Sequence, residues 1–180
     1  RISQLDLRLR HRVPMVHQTE SSECGLACLA MICGFYGKNV DLIALRRQFS
    51  LSTRGATLTG LTGIAEQLGL ATRPLSLDID ELSALKLPCI LHWEFNHFVV
   101  LVSIKGHRAV LHDPARGRRA ISLTELSHSF TGVALEAWPG SAFTADSVRH
   151  RIHLRTLIGS VHGLKGALGK IFCRSEEHTS

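Results

Sequence analysis

The sequence predicts an α+β domain in which helices come first and an antiparallel sheet follows. The first half of the chain holds one long apolar segment and two shorter segments with helical periodicity. The second half holds short runs of β-branched and aromatic residues, separated by Gly, Pro, Asn and charged residues as in hairpins. Helices that precede strands, instead of alternating with them, are typical of α+β domains.

The long apolar segment covers residues 25–35 and contains no charged side chain. A helix here would be apolar on every face, so we expect it to run through the centre of the domain. Ser21 and Ser22 are the predicted N-caps, and Glu23 suits a first helical turn. Cys24 would then lie in the first turn, close to the positive end of the helix dipole.

Two amphipathic helices are predicted after the apolar helix. They cover residues 40–49 and 57–68, where apolar side chains recur every three or four positions. Either Thr57 or Thr59 would cap the second of them. Both helices therefore have one face that needs a partner, and the central helix or the sheet can supply it.

Five strands are predicted in the second half of the chain. They cover residues 71–77, 89–93, 97–104, 108–112 and 133–138, with short helices at 79–85 and 122–130. The connections 94–96 and 105–107 are short and polar. The strands on either side of each connection should therefore pair as antiparallel hairpins.

Cys24 is the candidate nucleophile, because a helix N-terminus favours the thiolate form that attacks a carbonyl carbon. His97 begins one predicted strand, and Asp113 follows the strand that pairs with it. Nucleophile, base and orienting carboxylate in the chain order Cys, His, Asp are typical of papain-type enzymes. Gln18, six residues before the cysteine, occupies the usual place of an oxyanion donor.

These residues belong to motifs that resemble the peptidase C39 domain of bacteriocin-processing ABC exporters. The motifs are Gln-x5-Cys-Gly-Leu-Ala-Cys, His-Phe-Val-Val-Leu, and His-Asp-Pro-Ala-Arg-Gly, whose Asp lies sixteen residues after the first His. The resemblance covers about residues 13–143 and implies a papain-like cysteine protease fold. The catalytic residues that it implies are Cys24, His97, Asp113 and Gln18.

The resemblance also implies a substrate and partners. The substrate would be the double-glycine leader peptide of a bacteriocin or microcin precursor, bound as an amphipathic helix in an apolar groove. The partners would be the transmembrane and nucleotide-binding domains of the same exporter, at the cytoplasmic face of the bacterial inner membrane. ATP and Mg belong to the nucleotide-binding domain, so no cofactor is expected in this segment.

The net charge of +6 is concentrated at the two ends of the chain. Residues 1–12 carry four Arg against one Asp, and residues 145–170 carry three Arg and two Lys against one Asp. Residues 13–144 carry 11 basic and 11 acidic side chains and are neutral. Basic flanks on a neutral body favour an anionic membrane surface near the C-terminal segment as a partner, and argue against nucleic acid.

The sequence predicts four segments. They are an N-terminal arm at 1–12, the peptidase domain at 13–144, a basic amphipathic connector at 145–173 towards a transmembrane domain, and a tail at 174–180 that we interpret as not native. Five cysteines without regular spacing predict free thiols instead of a disulfide framework.

Two other functions compete with proteolysis. The first is a non-catalytic C39-like docking domain of a type I secretion exporter, which binds cargo without cutting it; the presence of both Cys24 and His97 argues against it. The second is a metal-dependent regulator. Zinc sites usually contain Cys-x2-Cys or His-x3-His pairs, and this sequence has neither, so no metal site is predicted.

Overall fold

The computed structural model describes residues 12–49, 56–94 and 96–146. The helices of this part are α1 (Cys24–Phe35), α2 (Leu42–Gln48), α3 (Leu58–Gln67) and α4 (Leu123–Ser129), with short 3-10 helices at Ser21–Glu23 and Ile79–Ala84. The strands are β1 (Leu70–Ser76), β2 (Cys89–Trp93), β3 (His97–Lys105), β4 (Arg108–Asp113), β5 (Gly117–Ser122) and β6 (Phe130–Pro139).

The six strands form one antiparallel sheet in the order β1-β6-β2-β3-β4-β5. Helices α1, α2 and α3 cover one face, and α4 with the second 3-10 helix covers the other. Because both faces of the sheet are covered, the sequences of β2 and β3 are nearly continuous runs of apolar residues. The α+β fold predicted from the sequence, with N-terminal helices packed on an antiparallel sheet, is confirmed.

Helix α1 is the centre of the core, as its composition predicts. Every residue from Cys24 to Cys33 is buried, and the helix packs against β3. The turn that follows the helix passes through a left-handed Gly37 (φ 87°), and the Lys38 N–H donates to the Cys33 carbonyl at 2.9 Å. A glycine adopts this conformation without the steric penalty that a side chain would add.

Three local details differ from the sequence interpretation or sharpen it. Ser21 and Ser22 are not the N-caps of α1, because they lie inside a 3-10 turn that precedes it. Thr57, and not Thr59, caps α3 by accepting the Gly60 N–H at 3.1 Å. Strand β5 was not predicted: its sequence is short and largely polar because it is an edge strand, with exposed side chains on one face.

The chain beyond β6 folds back onto the domain as far as Asp146. The Asp146 N–H donates to the Gly37 carbonyl at 3.0 Å, and its carboxylate accepts the Asn39 N–H at 2.8 Å. The Lys38 ammonium lies 5.4 Å from the centre of the Phe143 ring, a cation–π contact. The arm at 1–12 (but for residue 12), the connector at 145–173 (beyond Asp146) and the tail at 174–180 lie outside the described residues.

A chain that ends at Asp146 is expected to unfold in a single cooperative transition, because it keeps all of these contacts. A chain that ends at Gly140 loses the Phe143 packing and both Asp146 hydrogen bonds, so its free energy of unfolding should fall by about 1–3 kcal/mol. Urea denaturation of the two chains measures the difference. Non-cooperative unfolding of the longer chain would show that residues after 146 belong to the fold.

No helix in the described ranges is long and apolar enough to cross a membrane.

Candidate active site

The nucleophile candidate is held at the first residue of the most buried helix. Cys24 begins α1 and is only 2% exposed. The cysteine acts on the imidazole of His97 and, together with Asp113, raises the pKa of that ring. The thiol therefore combines a rigid support, the positive end of a helix dipole and a basic partner, which are the conditions that activate a cysteine.

The antiparallel pairing of β3 and β4 brings His97 to Asp113. His97 is the first residue of β3 and Asp113 is the last of β4, so both lie at the same end of the sheet. The distance between His97 Nε2 and Asp113 Oδ1 is 2.8 Å. With Nε2 held by the carboxylate, the other ring nitrogen is left for the thiol.

The Asp113 carboxylate is fixed by the turn that follows it. Asp113 is 2% exposed, and its Oδ1 accepts the N–H groups of Ala115 at 2.9 Å and Arg116 at 3.3 Å. Burial acts to raise the pKa of Asp113. The hydrogen bond from His97 and the two backbone N–H groups lower this pKa by more than burial raises it, so the net shift is downward. The Asp-Pro-Ala-Arg-Gly segment therefore forms a turn whose backbone N–H groups stabilise the ionised carboxylate of Asp113.

The pKa of His97 is raised from its ordinary value of 6.5 to about 9. Burial acts to lower this pKa, and the hydrogen bonds and negative charges of Asp113 and Cys24 outweigh it. The site therefore favours an imidazolium next to the thiol. An imidazolium can donate a proton to a leaving amine, which is what peptide cleavage requires after nucleophilic attack.

Gln18 is brought to the same place by its backbone. Its N–H donates to the carbonyl of Pro114 at 3.0 Å, which ties it to the turn that holds Asp113. Its side-chain Oε1 is buried and has no hydrogen-bond partner among the residues that the structure describes. The side chain faces an open cavity, so its amide can reach a bound substrate.

A cavity of about 220 Å³ lies beside these groups. Its walls include Gln18, Ser21, Trp93, Asn96, His97 and Asp113. The cavity reaches the base, the orienting carboxylate and the amide donor, whereas the thiol itself is nearly covered. A peptide carbonyl placed in this cavity would therefore lie near both an amide donor and the imidazole.

The family model described as the peptidase C39 family matches residues 12–142. The chain belongs to this family. The C39 domains are cysteine peptidases with a papain-like fold, in agreement with the expectation drawn from the four motif residues. No group of three or more His, Cys, Asp or Glu side chains within the described part of the chain could hold a metal ion.

Individual relatives give the same result. The chain is 67% identical over 174 residues to the colicin V secretion/processing ATP-binding protein of Escherichia coli, covering 97% of this chain and 25% of that protein. A crystal structure of a double glycine motif protease from an AMS/PCAT transporter, in complex with the leader peptide, superposes with a TM-score of 0.68 at 38% identity. That match covers 74% of this chain and 96% of the other.

A more distant solved structure preserves the fold. The peptidase domain of Streptococcus ComA, a bifunctional ABC transporter involved in quorum sensing, has a TM-score of 0.66 at 25% identity, over 71% of this chain and 99% of that one. The chain spans about a quarter of the length of the curated E. coli relative. The activity and partners of a whole exporter are therefore proposals for this chain.

Sequence reasoning missed the role of Glu23 at this C39 site. The sequence predicts an ordinary first-turn residue at this position, but Glu23 is a buried carboxylate, only 2% exposed. It accepts the N–H groups of Thr19 and Glu20, each at 3.0 Å, and pairs with Arg46. The one available signal was an acidic residue directly before an apolar helix, which is also the pattern of an exposed first turn.

The other described cysteines of the C39 domain lie in surroundings that keep them as thiols. Burial raises the pKa of Cys28 well above the ordinary value of 9.0, and the nearby Cys24 and Asp113 raise it further. Burial raises the pKa of Cys33 to about 11 against the opposing effect of Lys38, and burial with Glu136 nearby also raises the pKa of Cys89.

Iodoacetamide at about pH 6 is therefore expected to label Cys24 before Cys28, Cys33 and Cys89, because only Cys24 has an imidazole partner. Peptide mapping by mass spectrometry after short exposures measures the order. The chain denatured in urea is the control, and there the four thiols should react at similar rates. Similar rates in the folded chain would contradict the assignment of Cys24.

The pH profile of cleavage tests the raised pKa of His97. Because the imidazolium donates the proton, kcat/KM should fall as pH rises through about 9. Replacing Asp113 by Asn keeps an oxygen acceptor but removes the negative charge that raises this pKa, so the alkaline limb of the profile should move to lower pH. Asp78→Asn, at an exposed helix cap far along the chain, is the control. If the alkaline limb of the kcat/KM profile stays at the same pH in Asp113→Asn, a group other than His97 titrates in that pH range.

Proposed function

We propose that this C39 domain removes double-glycine-type leader peptides from bacteriocin or microcin precursors while an ABC exporter transports them. The observation that carries the proposal is an imidazole that a buried carboxylate holds at 2.8 Å, whose pKa is raised in part by the thiol at the start of α1. In this proposal Cys24 attacks the carbonyl carbon of the scissile bond. His97 takes the thiol proton and passes it to the leaving amine.

Three further groups complete the proposed mechanism. Asp113 holds the ring of His97 through Nε2 and stabilises the imidazolium. Gln18 and the backbone N–H of Cys24 donate to the oxyanion of the tetrahedral intermediate, and one well-aimed donor contributes about 3–4 kcal/mol. Water then hydrolyses the thioester, and the acyl part of the leader leaves as a carboxylate.

The remaining partners belong to the proposed exporter. The transmembrane and nucleotide-binding domains would follow this domain in the same chain, with ATP and Mg at the latter. This places the C39 domain at the cytoplasmic face of the bacterial inner membrane, with the basic residues of 145–173 near its anionic surface. The names of the E. coli relative and of the leader-bound solved structure support this arrangement.

The direct test is incubation of the domain with a synthetic leader peptide that ends in Gly-Gly followed by several cargo residues. Mass spectrometry should find one cut, after the second glycine. A peptide with both glycines replaced by leucine is the substrate control and should stay intact. Binding of the leader without any cut would favour the alternative, a non-catalytic docking domain. A metal-dependent regulator would instead retain a stoichiometric metal on purification.

A further inference from the structure

Glu23 is a buried charge directly before the proposed nucleophile, and a buried charge is costly unless it is paired. Its side chain is 2% exposed, while that of its partner Arg46, on α2, is 39% exposed. The Arg46 Nε donates to Glu23 Oε1, and the two backbone N–H groups of Thr19 and Glu20 donate to Oε2. Both carboxylate oxygens are thus engaged, each with a different part of the fold.

These contacts hold the backbone that carries Gln18. The N–H of Gln18 donates to the Pro114 carbonyl, and the next two N–H groups along the chain donate to Glu23. Gln18 is therefore fixed from both sides, by the turn after Asp113 and by the carboxylate next to Cys24. A flexible side chain such as glutamine reaches a given point reliably only if its backbone is fixed.

We propose that Glu23, held by Arg46, is a positioning residue that sets the distance between the amide of Gln18 and the thiol of Cys24. It acts through Gln18 and touches no reacting atom. The kinetic part of this inference rests on the proposed peptidase function. Glu23 joins the oxyanion donor and the nucleophile into one unit, and Arg46 anchors that unit to a helix outside the site.

Glu23→Gln is the variant that tests the inference, and Glu136→Gln is its matched control. Glu136 is also a buried glutamate, 1% exposed, that pairs with a partly exposed arginine, Arg73, and accepts a backbone N–H, that of Lys86 at 2.6 Å. The two variants lose the same kinds of contact, and only one of them lies beside the site. Both are measured at a temperature where circular dichroism shows them folded.

Glu23→Gln is expected to lower kcat about tenfold and to change KM less than about twofold, because a donor aimed at the transition state acts mainly on kcat. Glu136→Gln should leave kcat unchanged. Arg46→Lys, which keeps the charge, should lose less than Arg46→Met. Equal losses in Glu23→Gln and Glu136→Gln, or a loss confined to KM, would overturn the inference.

A double-mutant cycle separates positioning of Gln18 from a direct effect on the thiol. If Glu23 acts through Gln18, Glu23→Gln should cost little more in a Gln18→Ala background. A tenfold loss that persists in that background would overturn the inference.

Hydrogen exchange tests, without any substrate, the clamp formed by the hydrogen bonds from the Thr19 and Glu20 N–H groups to the Glu23 carboxylate. The amides of Thr19 and Glu20 should exchange faster in Glu23→Gln than in the wild type or in Glu136→Gln, because the carboxylate that accepts from them is replaced by a neutral amide with a single, weaker oxygen acceptor. This result supports the clamp even if no leader peptide is cleaved, in which case the proposed function fails separately. Unchanged exchange of these two amides would overturn the inference whether or not cleavage occurs.

Discussion

Replacement of Cys24 by alanine is expected to reduce leader-peptide cleavage below detection. The proposed reaction passes through a thioester on this sulfur, and no other described group in contact with His97 can form an acyl-enzyme. Alanine is smaller than cysteine by one sulfur atom and fits the same buried position, which is 2% exposed, so the fold should survive. The measurement is the rate of product formation by mass spectrometry, with leader binding recorded separately by calorimetry.

Cys28→Ala is the matched control for this prediction. Cys28 lies one turn further along α1 and is fully buried, so the same atoms are removed from the same helix. It should cost some stability and leave kcat nearly unchanged. His97→Ala should lower kcat by on the order of 10²–10⁴-fold, the usual contribution of a general base. Cleavage by Cys24→Ala at a measurable rate would refute the covalent mechanism.

Gln18→Ala is expected to lower kcat on the order of 10²-fold and to leave leader binding almost unchanged. The Gln18 amide would stabilise the oxyanion, whose charge is absent from the bound substrate and develops in the transition state, so removal of the amide acts on kcat. The backbone tie to Pro114 does not involve the side chain and should persist in the variant. Steady-state kinetics with the Gly-Gly peptide, together with calorimetry on a Cys24→Ala background, separates the two effects.

Gln48→Ala, at an exposed position of α2, is the control and should change neither quantity. A loss of leader affinity in Gln18→Ala with kcat preserved would make Gln18 a substrate contact instead of an oxyanion donor.

Much of the site was predictable because it depends on local patterns. An eleven-residue apolar segment preceded by polar residues predicts a buried helix with Cys24 in its first turn, and α1 begins at Cys24. His97 and Asp113 flank a hairpin, and the antiparallel pairing of β3 with β4 places the start of one strand beside the end of the other. Short connections leave few alternatives, so the proximity of these two residues follows from spacing.

The rest was decided by contacts between segments that are distant in sequence. Glu23 and Arg46 are 23 positions apart, and nothing local distinguishes this pair from the exposed charges around it. Strand β5 has too few apolar side chains to be recognised alone and forms because β4 offers it a free edge.

Composition and spacing were therefore enough to predict the α+β class, the buried helix and the residue types of a cysteine peptidase site. How Gln18 is fixed depends on the folded domain, because the backbone donors of Gln18, Thr19 and Glu20 can be satisfied in many ways by a free chain. The folded chain offers them the Pro114 carbonyl and the Glu23 carboxylate. Buried backbone N–H groups must find acceptors, and which acceptors are within reach depends on how the whole domain packs.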